Sequence, residues 1–410
     1  MATIHPFRAF RPRPDNVAAI ASVPYDVVDR AEACALAEGN PLSFLHVTKP
    51  EIDLPATTDP YSDAVYAGGA KALERFIAQG LLVQDKKPCL YAYELTMGKH
   101  RQTGIVLCAS VPEYEKNIVR KHEFTRPDKE NDRVRHMEAL KAQSGKVFLV
   151  HRDTPAMTEV LRATTLQPAV YDFTTPDGIR HRFWVIDEEP RVRALVEAFG
   201  KQDVIYIADG HHRSAAAARY AQARRHEGAK TDGEHERFLA VSFPASEMQI
   251  MPYNRVVKDL CGRSPETFVK EVRARFEVRD GKPEPTRTKQ FGMFLDGRWH
   301  TLDVRQGSFD AKDPVARLDV SLLQCQVLEP LLGISDPRRD KRIDFVGGIR
   351  GDAELEKRVR EGYAVAFKMH PTSIEDLFAI ADAGSVMPPK STWFEPKLRD
   401  GLVVHDLAGR

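Results

Sequence analysis

An apolar run, Val204-Ile205-Tyr206-Ile207-Ala208, passes through Asp209-Gly210-His211-His212-Arg213 into Ser214-Ala215-Ala216-Ala217-Ala218-Arg219-Tyr220. The first part is β-branched and aromatic, as a short buried strand requires. The last part is alanine-rich and helix-forming. A strand that turns sharply into a helix accommodates both. Such a turn puts the five middle residues at the helix N-terminus, where backbone N–H groups lack intrahelical partners and the dipole is positive. That end binds anions, phosphate above all. Gly210 permits a close turn or a positive φ. Ser214 is placed to cap, and Arg213 to hold a phosphate through two parallel hydrogen bonds. Asp209, at the strand end, is placed to bind Mg²⁺ or to accept a hydroxyl proton. The bland alternative is a structural N-cap beside two surface histidines. An acid, two imidazoles and a guanidinium within five residues favour a ligand.

With 410 residues the chain is too long for one ordinary core, so two or three domains are expected. Its 60 basic and 59 acidic residues leave a net charge of +1, which steers it toward neither nucleic acid nor anionic membranes. No stretch approaches the roughly 18–20 apolar residues of a membrane span. The start, Met1 to Phe7, lacks the profile of a signal peptide. The five cysteines are widely spaced, with no Cys-x-x-Cys pair. They point to a reducing cytoplasm and away from zinc.

Taken in order, Ile4 to Phe10 reads as an edge strand and Asp29 to Glu38 as a short helix stopped by Gly39. In Ser22-Val23-Pro24-Tyr25-Asp26, the proline fixes φ and Asp26 is free to cap or to reach a ligand. Asn40 to Val47 reads as a turn followed by a strand, with Asn40 and Ser43 as polar groups at its entrance. Tyr61 to Gln79 has helical spacing and ends at Gly80. Residues 88–95 and 101–111 form a hairpin with Glu94 facing solvent. The composition of 119–129 is that of a loop, and Asn131 to Gln143 that of a helix. Lys121, His122, Glu123, Thr125, Asp132 and Arg133 in this region are candidates to line one site, although most charge runs are solvated faces. Gln143-Ser144-Gly145-Lys146-Val147 lacks the second glycine and the following Ser or Thr of a P-loop.

Strands are expected at 147–150, 170–173, 181–186, 204–208 and 238–243, with 249–257 continuing the last. Residues 291–295 and 299–304 make a hairpin, 280–289 a Pro- and Lys-rich turn, 321–331 a helix, 363–369 a strand and 374–383 a helix. Arg255 beside its strand is equally suited to a ligand or to an acid. The tail Met387 to Leu398 is a stiff loop able to lie over a neighbouring surface, with Lys390, Ser391 and Thr392 of phosphate-contact type. A soft boundary near 260 divides an α+β core, 1–260, from a C-terminal α+β domain, 261–410, whose tail packs back on the core.

Six stretches in this order resemble one bacterial family, the domain of unknown function 1015. They are Val23-Pro24-Tyr25-Asp26-Val27, Asn40-Pro41, His122-Glu123-x-Thr125 with Asp132-Arg133, Ala208 to Arg213, Pro252-Tyr253-Asn254-Arg255, and Met387 to Phe394. The turn at 209–213 is more distantly similar to the phosphate-binding motif of ParB-like and sulfiredoxin-like nucleotide proteins, one branch of which comprises free-serine kinases. That resemblance implies an α+β fold of mixed sheets with flanking helices, built on a nucleotide-binding core with an additional α+β domain. It also implies a small-molecule kinase using ATP or another nucleotide donor and Mg²⁺.

On this reading the reaction is ATP-dependent phosphorylation of free L-serine to O-phosphoserine. Gly210, His211, His212, Arg213 and Ser214 hold phosphates, assisted by Lys121 and Arg133. Asp209 binds Mg²⁺ or orients the hydroxyl, Glu123 is the alternative base, and His211 joins the catalytic set. Asn40, Ser43 and Asp26 take the amino-acid end. A small-molecule substrate is expected, with neither nucleic acid nor membrane as partner, and a homodimer is left open. The alternatives are a ParB-like nucleotide-binding switch without catalysis and a metal-dependent phosphohydrolase. The second is disfavoured by the lack of further well-spaced Asp and His ligands.

Overall fold

The strand–turn–helix at the centre of the sequence sits in the larger of two units, in a computed structural model that describes residues 1–281 and 287–410. Residues 282–286, within the turn expected at 280–289, lie outside the described residues. The fold is α+β. One unit comprises 1–248 together with 396–410, and the other comprises 249–395. The division therefore falls at 248/249, not near 260. The reason is that Tyr253–Val257 is an interior strand of the second unit's sheet.

Nine strands build the main sheet of the first unit: β1 (Ile4–His5), β2 (Leu90–Met97), β3 (His100–Ser110), β4 (Val119–Arg120), β5 (Val147–His151), β6 (Tyr171–Thr174), β7 (Arg180–Ile186), β8 (Ile205–Asp209) and β9 (Arg237–Pro244). Their order is β4-β8-β5-β9-β3-β2-β7-β6, with β1 beside β3. β8 runs parallel to β4 and antiparallel to β5, while β9 runs parallel to β5. Ile205 and Ile207 point into a core shared with Ala217 and Ala221 of the helix His211–His226. Its other face presents Ala216 and Tyr220 to Met137 of the helix Pro127–Leu140. Alanines on both faces let one helix pack closely between a sheet and a second helix.

Several expectations change for physical reasons. Asn40 to Val47 turns into the short helix Leu45–Thr48, not a strand. Phe44 and Val47, three apart, both pack with Leu73 and Phe76, which helical spacing allows and strand alternation does not. Glu94 is buried, opposite Arg182 in the β2–β7 register, and Arg182 neutralises it. The helix expected from Asn131 begins at Pro127, whose missing N–H costs nothing at a first helical position. The strand at 237–244 does not continue to 257, because a turn at Ala245–Glu247 follows Pro244.

In the second unit, strands Phe276–Asp280, Arg298–Val304, Gln290–Leu295, Val365–Lys368, Tyr253–Val257 and Ile343–Gly347 lie side by side in that order, all antiparallel. The helix expected at 321–331 is Asp319–Leu323, which then widens into a π-helical turn, Gln324–Leu328. Among the described residues no helix is long and apolar enough to cross a membrane.

Candidate active site

The pairing of β8 with β5 slips between Ile207 and Asp209, a bulge that re-aims the strand end. Gly210 follows in the left-handed region, φ 94° and ψ 28°, and begins the helix. A β-carbon there would lie 3.3 Å from Val147 Cα, so both conformation and space call for glycine. The N–H groups of Arg213 and Ser214 donate to the Gly210 carbonyl at 2.9 and 3.0 Å. The preceding N–H groups, those of His211 and His212, are the helix's first donors and have no intrahelical acceptor.

Asp209 stands at this opening with 41% of its side chain exposed. Its Oδ1 accepts from the Gly210 N–H at 2.9 Å, and Lys397 Nζ lies 3.4 Å from Oδ2. Burial works against the charge. Lys397 and then Arg213 outweigh it and hold the carboxyl well below the usual carboxylate range. Lys397 is a residue the sequence reading placed only in a docked tail. Nothing local marks it, because its partner lies 188 positions away.

The histidines are not surface groups. His211 is 3% exposed and its Nε2 accepts from the His122 N–H at 3.4 Å. The two rings meet edge to face at 4.5 Å. Its Nδ1 lies 3.6 Å from Glu123 Oε2. Burial, with His122 alongside, pushes the His211 pKa well below its ordinary value, and burial brings that of His122 down to about 4. His212, half-buried, accepts the Arg126 N–H at 3.0 Å, and burial lowers its pKa too. Both imidazoles are therefore engaged within the protein as neutral rings. The expectation that both side chains are free to grip phosphate is not met, because each ring already accepts a backbone N–H, that of His122 or of Arg126.

Arg213 is also engaged. Its Nη1 donates to the Lys146 carbonyl at 2.8 Å, and its Nη2 to both oxygens of Asp26 at 2.8 Å. Tyr25 lies between Arg133, 3.8 Å from the ring centre, and Arg213 at 5.4 Å. Burial, with Asp26 beside it, brings the Tyr25 pKa up to about 12. Arg133 pairs with Asp132 at 2.7 Å. Lys121 sets its ammonium 4.1 Å over the Tyr114 ring. Three expected contacts are structural instead. Ser214 is buried and donates to the His211 carbonyl at 3.1 Å, so it neither caps nor faces a ligand. Asn40 donates to the Ala19 carbonyl at 2.8 Å and accepts the Leu42 N–H, forming a turn. Ser43 is buried and accepts the Leu45 N–H.

Two further residues were missed, Lys146 and Asp400. They form a buried pair 3.7 Å apart, and Lys146 Nζ donates to the Arg399 carbonyl at 2.6 Å. Burial brings the Lys146 pKa down to about 8 and raises that of Asp400. The failed P-loop pattern around Gly145-Lys146 hid one partner, and distance along the chain hid the other.

Among the described residues no group of three or more His, Cys, Asp or Glu side chains is placed to hold a metal ion. Mg²⁺ needs less from a protein, since it takes one or two carboxylates and keeps phosphate and water ligands. Asp209 offers one such partly exposed carboxylate, but Lys397 Nζ lies 3.4 Å from its Oδ2 and would have to move aside for a cation.

The family described as "Protein of unknown function (DUF1015)" matches residues 4–321. No curated protein matches the chain. Among solved structures, a free serine kinase in complex with AMP is similar at 12% identity and a TM-score of 0.36, over 74% of this chain and 91% of that one. A conserved hypothetical protein from Pyrococcus furiosus is similar at 13% identity and a TM-score of 0.34, over 74% and 97%. A C-terminally truncated SbnI from Staphylococcus aureus is similar at 10% identity and a TM-score of 0.37, over 74% and 84%. Likeness this loose assigns no function.

Proposed function

The chain belongs to the DUF1015 family of proteins of unknown function, and from that premise we propose that it is a nucleotide-dependent small-molecule kinase that phosphorylates free L-serine. The observation that carries the reading is the turn itself. An ionised Asp209, held by Lys397, stands at the N-terminus of a 16-residue helix that begins at a left-handed Gly210. Phosphoryl transfer asks for positioning and charge neutralisation more than for covalent chemistry.

The His211 and His212 N–H groups would donate to phosphate oxygens, and Lys397 would offset the phosphate charge. Asp209, with its pKa depressed, is a poor proton acceptor but a constant anion. It would hold Mg²⁺, which when bound supplies neutralisation of the phosphate charge. Glu123, 44% exposed beside His211, is better suited as the base. The serine Oγ forms a bond to the γ-phosphorus, the bond to the β-phosphate oxygen breaks, ADP leaves and the hydroxyl proton passes to Glu123.

The test is to incubate the full chain with ATP, Mg²⁺ and L-serine and to look for O-phosphoserine by mass spectrometry. Product that depends on the protein and disappears in Asp209→Asn supports the reading. No product with any nucleotide donor removes it. Calorimetric nucleotide binding without turnover would favour the non-catalytic switch instead.

A further inference from the structure

Arg213 borders a cavity of about 40 Å³ whose lining includes Tyr25, Arg133, His136, Gln143, Gly145 and Asp400 among polar and apolar neighbours. Two buried polar atoms there have no hydrogen-bond partner, Arg213 Nε and Asp400 Oδ2. Their side chains are 10% and 2% exposed. Both face the place a side chain at Gly145 would fill: a β-carbon there would lie 3.4 Å from Arg213 Nε and 3.7 Å from Asp400 Oδ2. One orphan is a donor and the other an acceptor, and leaving either unpaired is costly.

The charges around the cavity cancel in pairs. Arg213 is matched by Asp26 at 2.8 Å, Arg133 by Asp132 at 2.7 Å and Lys146 by Asp400 at 3.7 Å. A bare anion or cation would upset this balance, whereas a zwitterion leaves it intact. A single water needs only about 10–15 Å³ by this measure, so the cavity has room for about three water-sized groups. That is room for the two charged ends of a small zwitterion.

The geometry points to a recognition site for the zwitterionic head of an α-amino acid, its carboxylate accepting from Arg213 Nε and its ammonium donating to Asp400 Oδ2. This deepens the proposed function and rests on it only for which amino acid is bound. The acceptor would sit on the Tyr25 side of Gly210, where Arg213 recognises the amino acid rather than the phosphate.

Calorimetry on the full chain without nucleotide tests it, with L-serine, glycine, ethanolamine and L-lactate as probes. L-serine and glycine should bind, and ethanolamine and L-lactate, each lacking one charge, should bind at least ~10-fold more weakly. Asp400→Asn removes the ammonium's charged partner. Gly145→Ala fills the space between the orphans at ordinary contact distances. Both should lower L-serine affinity at least ~10-fold; Gly145→Ala should melt near the parent, whereas Asp400→Asn, which leaves the buried Lys146 charge unmatched, should melt lower, so folded Gly145→Ala carries the test. Equal binding of ethanolamine or L-lactate, unchanged affinity in folded Gly145→Ala, or no amino-acid binding at all would overturn the site and leave ordered water as its occupant. Amino-acid binding without O-phosphoserine formation would sustain this site while sinking the kinase.

Discussion

Lys397 holds its ammonium 3.4 Å from Asp209 Oδ2, although the two residues are 188 positions apart. Lys397 thereby favours the ionised form of the carboxylate at the central turn.

Replacing Lys397 with methionine should raise the Asp209 pKa, because burial then acts with less opposition. A carboxyl held below its unfolded value near 3.8 adds stability above that pH and loses it as pH falls through the folded value. The variant should therefore be less stable than the parent at pH 7, with the gap closing in acid. Urea denaturation at several pH values reads this out, and kcat/KM should fall at least ~10-fold.

His122, His136 and His151 are fully buried, and burial brings each pKa from 6.5 down to about 4. The neutral form is favoured by the fold, so the unfolded chain takes up protons first. Stability should be full above pH 6.5 and fall between 6.5 and 4, by about 1.4 kcal/mol per pH unit for each such histidine. Denaturation at pH 7.5, 6 and 5 measures the slope. Substituting His151 with glutamine should make it shallower by one histidine's share.

Gly210→Ala forces a β-carbon into a left-handed residue and toward Val147. A loss of about 1–2 kcal/mol in folding free energy is expected. Activity should fall more than stability, since the helix's first N–H groups are displaced. Thermal melts and initial rates on one preparation separate the two.

The Arg213–Asp26 pair should be asymmetric. Arg213→Ala strands the Lys146 carbonyl and removes a mostly buried cation, so a loss of about 2–4 kcal/mol is expected. Asp26, 39% exposed, is screened by water, but Asp26→Asn leaves the buried Arg213 charge unmatched while keeping an acceptor for it, so a smaller loss of about 1–2 kcal/mol is expected. Paired urea titrations compare them. Equal losses would mean that Arg213 owes its stabilising role to Asp26 alone.

What the sequence determined by itself was local. The β-branched run and the alanine run specified a strand and a helix, and Gly210 between them specified the break, because propensity and turn chemistry act over a few residues. The same local logic anticipated the helix after Asp29, whose carboxylate caps it, and the hairpin joining β2 and β3. It failed at Asn40 and Ser43, whose polar groups serve turns, and at Phe44 and Val47, whose spacing a short window reads as a strand. Tertiary structure alone decided which charges meet. Lys397 reaches Asp209, Asp400 lies against Lys146, and His211 is shut in by His122, all through contacts between segments far apart in the chain. No periodicity records such meetings, because an ion pair or a buried ring depends on where whole strands and helices are laid. The sequence located the turn, and the packing around it decided which of its groups remain open to a ligand.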